Sequence, residues 1–175
     1  VTDDCMGVAG NLVAGYTPGS APTIFPNGDG IKMGVPLEAG ANMVMQMHYP
    51  EGSAGTVDST KVNFFFYPEG TEDIREVYTE SLLENWSLYI PANTIRTFNT
   101  QYPPGNSGLN TDFSVLSVFP HMHLLGKEIT SYAVKPDNDT IPFERVLNWD
   151  FEWQGFYNFK KMLKVPAGST LKAQA

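Results

Sequence analysis

Short stretches of alternating apolar and polar residues recur along this 175-residue chain, and glycine or proline closes most of them. A period of two gives a β-strand one apolar face and one wet face, so the alternation predicts strands rather than helices. The expected strands cover residues 11–16, 42–49, 61–67, 87–90, 95–101, 113–123, 128–134, 143–147, 158–163 and 170–174. Residues 71–83 mix in helix formers, but the β-branched members of the run weaken a helix there. The 16 Gly and 13 Pro are spread along the chain, as turns between many short strands require. The class this implies is all-β, a sandwich or barrel.

An aliphatic residue and a proline lead into small turn residues three times: Val35-Pro36-Leu37-Glu38-Ala39-Gly40, Ile90-Pro91-Ala92-Asn93-Thr94 and Val165-Pro166-Ala167-Gly168-Ser169. Ordinary turns account for each one. Their recurrence also suggests two similar sandwiches, with a boundary near Tyr67-Pro68-Glu69-Gly70.

Composition narrows the partners. With 19 acidic and 11 basic side chains the formal charge is -8, which repels phosphate backbones and anionic headgroups. Nucleic acid is not an expected partner. No apolar run approaches the roughly 20 residues that span a bilayer, so membrane insertion is not expected either. Val1 opens the sequence without a starting Met, and residues 170–175 alternate as a strand that stops without a turn. The chain therefore reads as an internal fragment whose partners include the rest of its own polypeptide. The single cysteine, Cys5, sits in a loop-like VTDDCMG run. It is either a small buried hydrophobe or half of a disulfide to a cysteine outside these residues.

Chemistry concentrates in the run Phe119-Pro120-His121-Met122-His123-Leu124-Leu125-Gly126-Lys127. On a strand, His121 and His123 project to one side and Met122 to the other. Positions i and i+2 lie about 6.6–6.8 Å apart, close enough for two imidazoles to meet one metal at about 2.0–2.1 Å. The third histidine, His48, ends the apolar run Met43-Val44-Met45-Gln46-Met47-His48-Tyr49 and shares a face with Val44 and Gln46. Alone it reads as a satisfied strand residue, and the methionine row reads as core. Glu128 follows His123 at a spacing that cupins use for metal ligands. However, Val115 stands where a cupin has glycine, and Leu171 stands where it has a fourth ligand.

Two separated segments, Val44-Met45-Gln46-Met47-His48-Tyr49 and His121-Met122-His123-Leu124-Leu125-Gly126-Lys127, resemble motifs of the copper type II, ascorbate-dependent monooxygenases. That family has a Leu-Gln-x-His-Tyr strand ending in a copper ligand, and later a His-x-His-x-x-Gly-Lys/Arg strand with two ligands to a second copper. The run from Cys5 through Pro26 also resembles the approach to the family's first strand.

The resemblance implies two consecutive antiparallel jelly-roll-like β-sandwich domains, the first incomplete. Residues 1–68 are the C-terminal part of the electron-transfer copper domain. Residues 69–175 are the oxygen-binding copper domain, truncated at its C-terminal end. It further implies His48 at the first copper, with Gln46 as its strand neighbour on an electron pathway, and His121 and His123 at the second. No catalytic group beyond the metal ligands is implied, and Cys5 stays a disulfide candidate. The implied activity is hydroxylation of a C–H bond in a small-molecule substrate with O2 and ascorbate or a similar reductant, in a secreted or periplasmic protein. This piece alone is expected to be inactive, because the family's upstream histidine pair and downstream methionine ligand are not among these residues. Met162 precedes the last turn and reads as core, and Phe119 occupies the position where the peptide-hydroxylating members carry an arginine. From a different class, the alternative is a non-catalytic copper-binding or structural sandwich module of a larger extracellular protein.

Two features have plain readings. Asn85-Trp86-Ser87 and Asn138-Asp139-Thr140 match the glycosylation sequon. The aromatics Trp149, Phe151, Trp153, Phe156, Tyr157 and Phe159 are expected to fill the second core, the first three on one face of a strand.

Overall fold

A computed structural model describes residues 12–17, 19–105 and 107–175. Cys5 lies outside them. The chain is all-β, with no helix among the described residues. It divides into two compact units: Ile24–Thr79 with Leu12 and Val13, and Glu80–Ala175 with Ala14–Thr23.

The first unit carries one small sheet of β1 (Asn27–Gly28), β2 (Ile31–Gly34) and β3 (Ile74–Glu76). Asp29 and Gly30 join β1 to β2 with φ of 50° and 78°. Two consecutive left-handed residues match the strand twist of a tight hairpin, and the sequence Asn-Gly-Asp-Gly supplies residues that tolerate them. β3 joins β2 in parallel, a departure from the antiparallel expectation. The Tyr67 hydroxyl accepts from the Met33 amide and donates to its carbonyl, both at 3.1 Å, beside the buried Met33 side chain.

The expected strands at 42–49 and 61–67 are not strands here. Their apolar residues stand in solvent on both sides, Val44 at 64% and Phe65 at 95% exposure. Alternation supplies a strand's side-chain pattern, but a strand also needs a neighbour for its amides and carbonyls. No described residue pairs with either stretch in a ladder. Residues 87–90 are irregular for the same reason.

The second unit is built from β4 (Asn99–Tyr102), β5 (Phe113–Val118), β6 (Ile129–Val134), β7 (Thr140–Val146), β8 (Tyr157–Val165) and β9 (Thr170–Gln174). Four of these form an antiparallel sheet in the order β4-β9-β6-β7, and β5 pairs antiparallel with β8. Leu109, Ala133, Val165 and Leu171 are buried between them. Tyr102, Phe113, Val115, Ile141 and Phe143 pack on this cluster from both strand groups. Each strand thus turns one apolar face to a shared core, which is sandwich packing.

The three proline-led repeats are turns, each with a left-handed residue: Gly40, Asn93 and Gly168. The last is pinned by reciprocal bonds. The Gly168 amide donates to the Leu109 carbonyl and the Leu109 amide to the Ser169 carbonyl, each at 2.7 Å. A Cβ on Gly108 would stand 2.5 Å from the Gly168 oxygen, so only glycine fits this crossing. Outside the core, Lys164 pairs with Asp112 at 2.8 Å, and Asp112 also accepts the Ala167 amide at 2.9 Å. Exposed pairs like this contribute little to stability.

Glu144 is a half-buried carboxyl whose titration the fold alters. Burial against β6 raises its carboxyl above the ordinary range, against the opposing effect of a short hydrogen bond donated by the buried Ser131 hydroxyl. A raised carboxyl favours the protonated native state, so this contribution is full at low pH and is lost as pH rises through the folded value. Glu144→Gln keeps an acceptor for Ser131 and removes the charge. The variant is expected to unfold at higher temperature than the wild type at neutral pH and to match it near about pH 3, where an ordinary Glu is protonated. Thermal melts across pH check this.

Candidate metal centre

β5 ends at Val118 rather than running to residue 123. The reason lies in its last residues. Val115 and Ser117 flank a register shift, at which β8 advances from Leu163 to Asn158. Pro120, two residues past the strand, lacks the amide that another ladder bond would need. Bulges at strand ends re-aim the chain, and here the chain leaves the sheet as the His121–His123 loop.

The loop closes with a turn in which the Gly126 amide donates to the His123 carbonyl at 2.9 Å. Gly126 sits against a wall. A Cβ there would lie 2.9 Å from Met122 Cβ, 2.9 Å from Trp149 Cδ1 and 3.1 Å from the His123 oxygen. The Trp149 amide donates to the Lys127 carbonyl at 2.8 Å, which ties the loop to the segment 147–156. The Trp149 indole nitrogen is buried with no partner.

That segment is a loop and not the expected strand, so its aromatics do not fill the core. Asp150 organises it by accepting the Trp153 amide on its carbonyl at 3.1 Å and the Glu152 amide on its carboxylate at 2.9 Å. Phe151 turns toward His123 and Phe156 toward Phe119, and Trp153 packs near Gly19 at 62% exposure.

His121 and His123 come together even though neither is on a strand. Their ring centres are 5.1 Å apart, at an interplanar angle of 77°. Phe119 lies nearly parallel to His121, 6.5 Å away at 8°, and itself packs on Phe156 at 4.8 Å. Phe151 meets His123 edge-on at 6.0 Å. The His121 Nδ1 atom is 2.6 Å from Gln154 Oε1, and Gln154 Nε2 donates to the Phe151 carbonyl at 2.6 Å. Both histidines are solvent-accessible, as entry of an ion or substrate requires.

Two imidazoles bound to one metal at about 2.0–2.1 Å place their ring centres roughly 4.5–5.5 Å apart. The observed separation fits such sharing, and imidazole is a donor that suits copper. Among the described residues no group of three His, Cys, Asp or Glu side chains gathers as a metal cage.

His48 is exposed in the first unit, on the irregular 42–49 stretch with Gln46. Next to it the Tyr49 hydroxyl donates to Asp58 at 2.5 Å, and that bond raises the tyrosine and lowers the carboxyl. Glu128 is exposed, and Met162 is half-buried on β8. Sequence reasoning missed Gln154, which lies 33 residues from His121. No spacing rule links the two, and only the folded 147–156 loop joins them.

Fold and site together define an all-β sandwich protein that presents paired imidazoles at the end of a strand. A family model described as copper type II ascorbate-dependent monooxygenase, C-terminal domain, matches residues 87–175, just over half of the sequence. The chain belongs to that family. No curated protein and no solved structure matches it.

Gly126→Ala forces a methyl group into the space held by Met122 and Trp149. It is expected to destabilise the protein by about 1–3 kcal/mol, as overpacking does. Urea unfolding followed by tryptophan fluorescence measures the loss, and stability equal to wild type would contradict this packing.

Proposed function

We propose that His121 and His123 hold the oxygen-binding copper of a monooxygenase that hydroxylates a C–H bond of a small-molecule substrate with O2 and ascorbate or a similar reductant. The observation that carries this reading is the imidazole pair, 5.1 Å apart, inside the region matched by the copper monooxygenase family. Residues 69–175 are then the oxygen-binding copper domain, and residues 1–68 belong to the electron-transfer domain. In that domain His48 is a ligand of the other copper, with Gln46 beside it on the electron pathway, and Cys5 is a disulfide candidate. Such a protein works in a secreted or periplasmic setting. Among the described residues no helix is long and apolar enough to cross a membrane.

Copper at this site supplies one-electron redox chemistry toward O2. The chain's own residues supply the rest. Phe119 and Phe151 give the two imidazoles aromatic neighbours, and Phe156 backs Phe119. Aromatic packing also fixes the ring planes, so the metal-binding atoms need little rearrangement. With Phe119 two residues before His121, the approach carries no guanidinium, which disfavours a substrate anchored by its carboxylate.

Copper loading followed by elemental analysis tests the assignment. Wild-type protein is expected to retain about one copper ion at this pair, and the His121→Ala/His123→Ala variant none there. A folded wild type that retains no copper, or a double variant that retains as much, would sink the assignment. Ascorbate-dependent O2 consumption by the complete protein then separates an enzyme from a copper-binding module without activity.

A further inference from the structure

We propose that Gln154 is a positioning residue for His121, holding the imidazole as its Nδ1–H tautomer and leaving Nε2 as the nitrogen that meets the metal. The inference rests on the copper reading of His121 and His123 and adds a residue that the reading does not contain.

The Phe151 carbonyl can only accept a hydrogen bond. The Gln154 atom 2.6 Å from it is therefore the amide NH2 group, and this fixes which way the carboxamide points. Its oxygen then faces His121 Nδ1 at 2.6 Å. An amide oxygen also only accepts, so Nδ1 carries the proton. In a neutral imidazole that leaves one lone pair, on Nε2. A ligand whose second nitrogen donates to a protein oxygen has its tautomer and ring rotation set in advance.

The support behind Gln154 is continuous. The Lys127 carbonyl holds the Trp149 amide, and Asp150 then closes the turn through the Trp153 and Glu152 amides. Phe151, whose carbonyl orients the Gln154 amide, also places its ring against His123. Phe119 lies nearly parallel to the His121 ring at 6.5 Å, and the Gln154 bond sets how that ring is turned. One ten-residue loop thus orients both imidazoles from the side.

Two readouts test this, and the first needs no metal. Nitrogen-15 shifts of the His121 ring in metal-free protein, at about pH 8 where an ordinary imidazole is neutral, report the tautomer. Wild type is expected to show a protonated Nδ1, and Gln154→Ala is expected to shift the ring toward the Nε2–H form. The second is Cu(II) affinity by chelator competition. Gln154→Ala is expected to weaken copper about 10–100-fold, whereas Gln154→Glu, which keeps an acceptor, stays within a few-fold of wild type. If Gln154→Ala does not fold, Gln154→Leu carries the same expectation. Wild type that binds copper, with a Gln154→Ala variant unchanged in tautomer and affinity, overturns the role of Gln154 alone. Wild type that binds no copper overturns the copper reading and this inference with it.

Discussion

The contact between Gly126 and Trp149 decides where both histidines stand. With no side chain at Gly126, the turn that follows His123 lies flat against the indole, and the Trp149 amide fastens to the Lys127 carbonyl beside it. That junction brings the 147–156 loop alongside the 119–126 loop, and from it Phe151 and Gln154 reach the imidazoles while Phe156 packs on Phe119. Neither loop has a ladder of backbone hydrogen bonds to hold it. Their order comes from aromatic packing and a few loop hydrogen bonds.

The sandwich beneath has a separate task. Ala133, Val165 and Leu171 fix the strands, and the shift in the β5–β8 register together with Pro120 determines where the chain leaves the sheet. Two short loops at one end of a packed scaffold are a common way to build a site, because the scaffold carries stability while the loops carry chemistry. In this family the chemistry belongs to copper and ascorbate, and the protein contributes ligands, orientation and local polarity.

The sequence makes some of this legible and hides the rest for physical reasons. Strands β6, β8 and β9 follow from alternation, since their neighbours are strands of the same unit and their inward residues share one core. Alternation at 42–49 and 61–67 is as clear to the eye, yet no described residue supplies the ladder, and the apolar faces stay wet. The i, i+2 spacing points to two neighbouring imidazoles, and the rings are neighbours. The route differs, because β5 ends at Val118 and a loop turn rather than a pleat brings them together. The aromatics at 149–156 look like core by composition, but their loop carries Phe151 to His123, Phe156 to Phe119 and Trp149 to Gly126. Gln154 has no sequence signal at all, because its contact depends on how two loops meet.

The most direct test of the central claim is a copper-edge anomalous diffraction map from crystals of the copper-loaded protein. A peak is expected within bonding distance of His121 Nε2 and of a His123 ring nitrogen, with the Gln154 oxygen still bonded to His121 Nδ1. Copper density away from this pair, or copper on Nδ1 with Gln154 displaced, would contradict it.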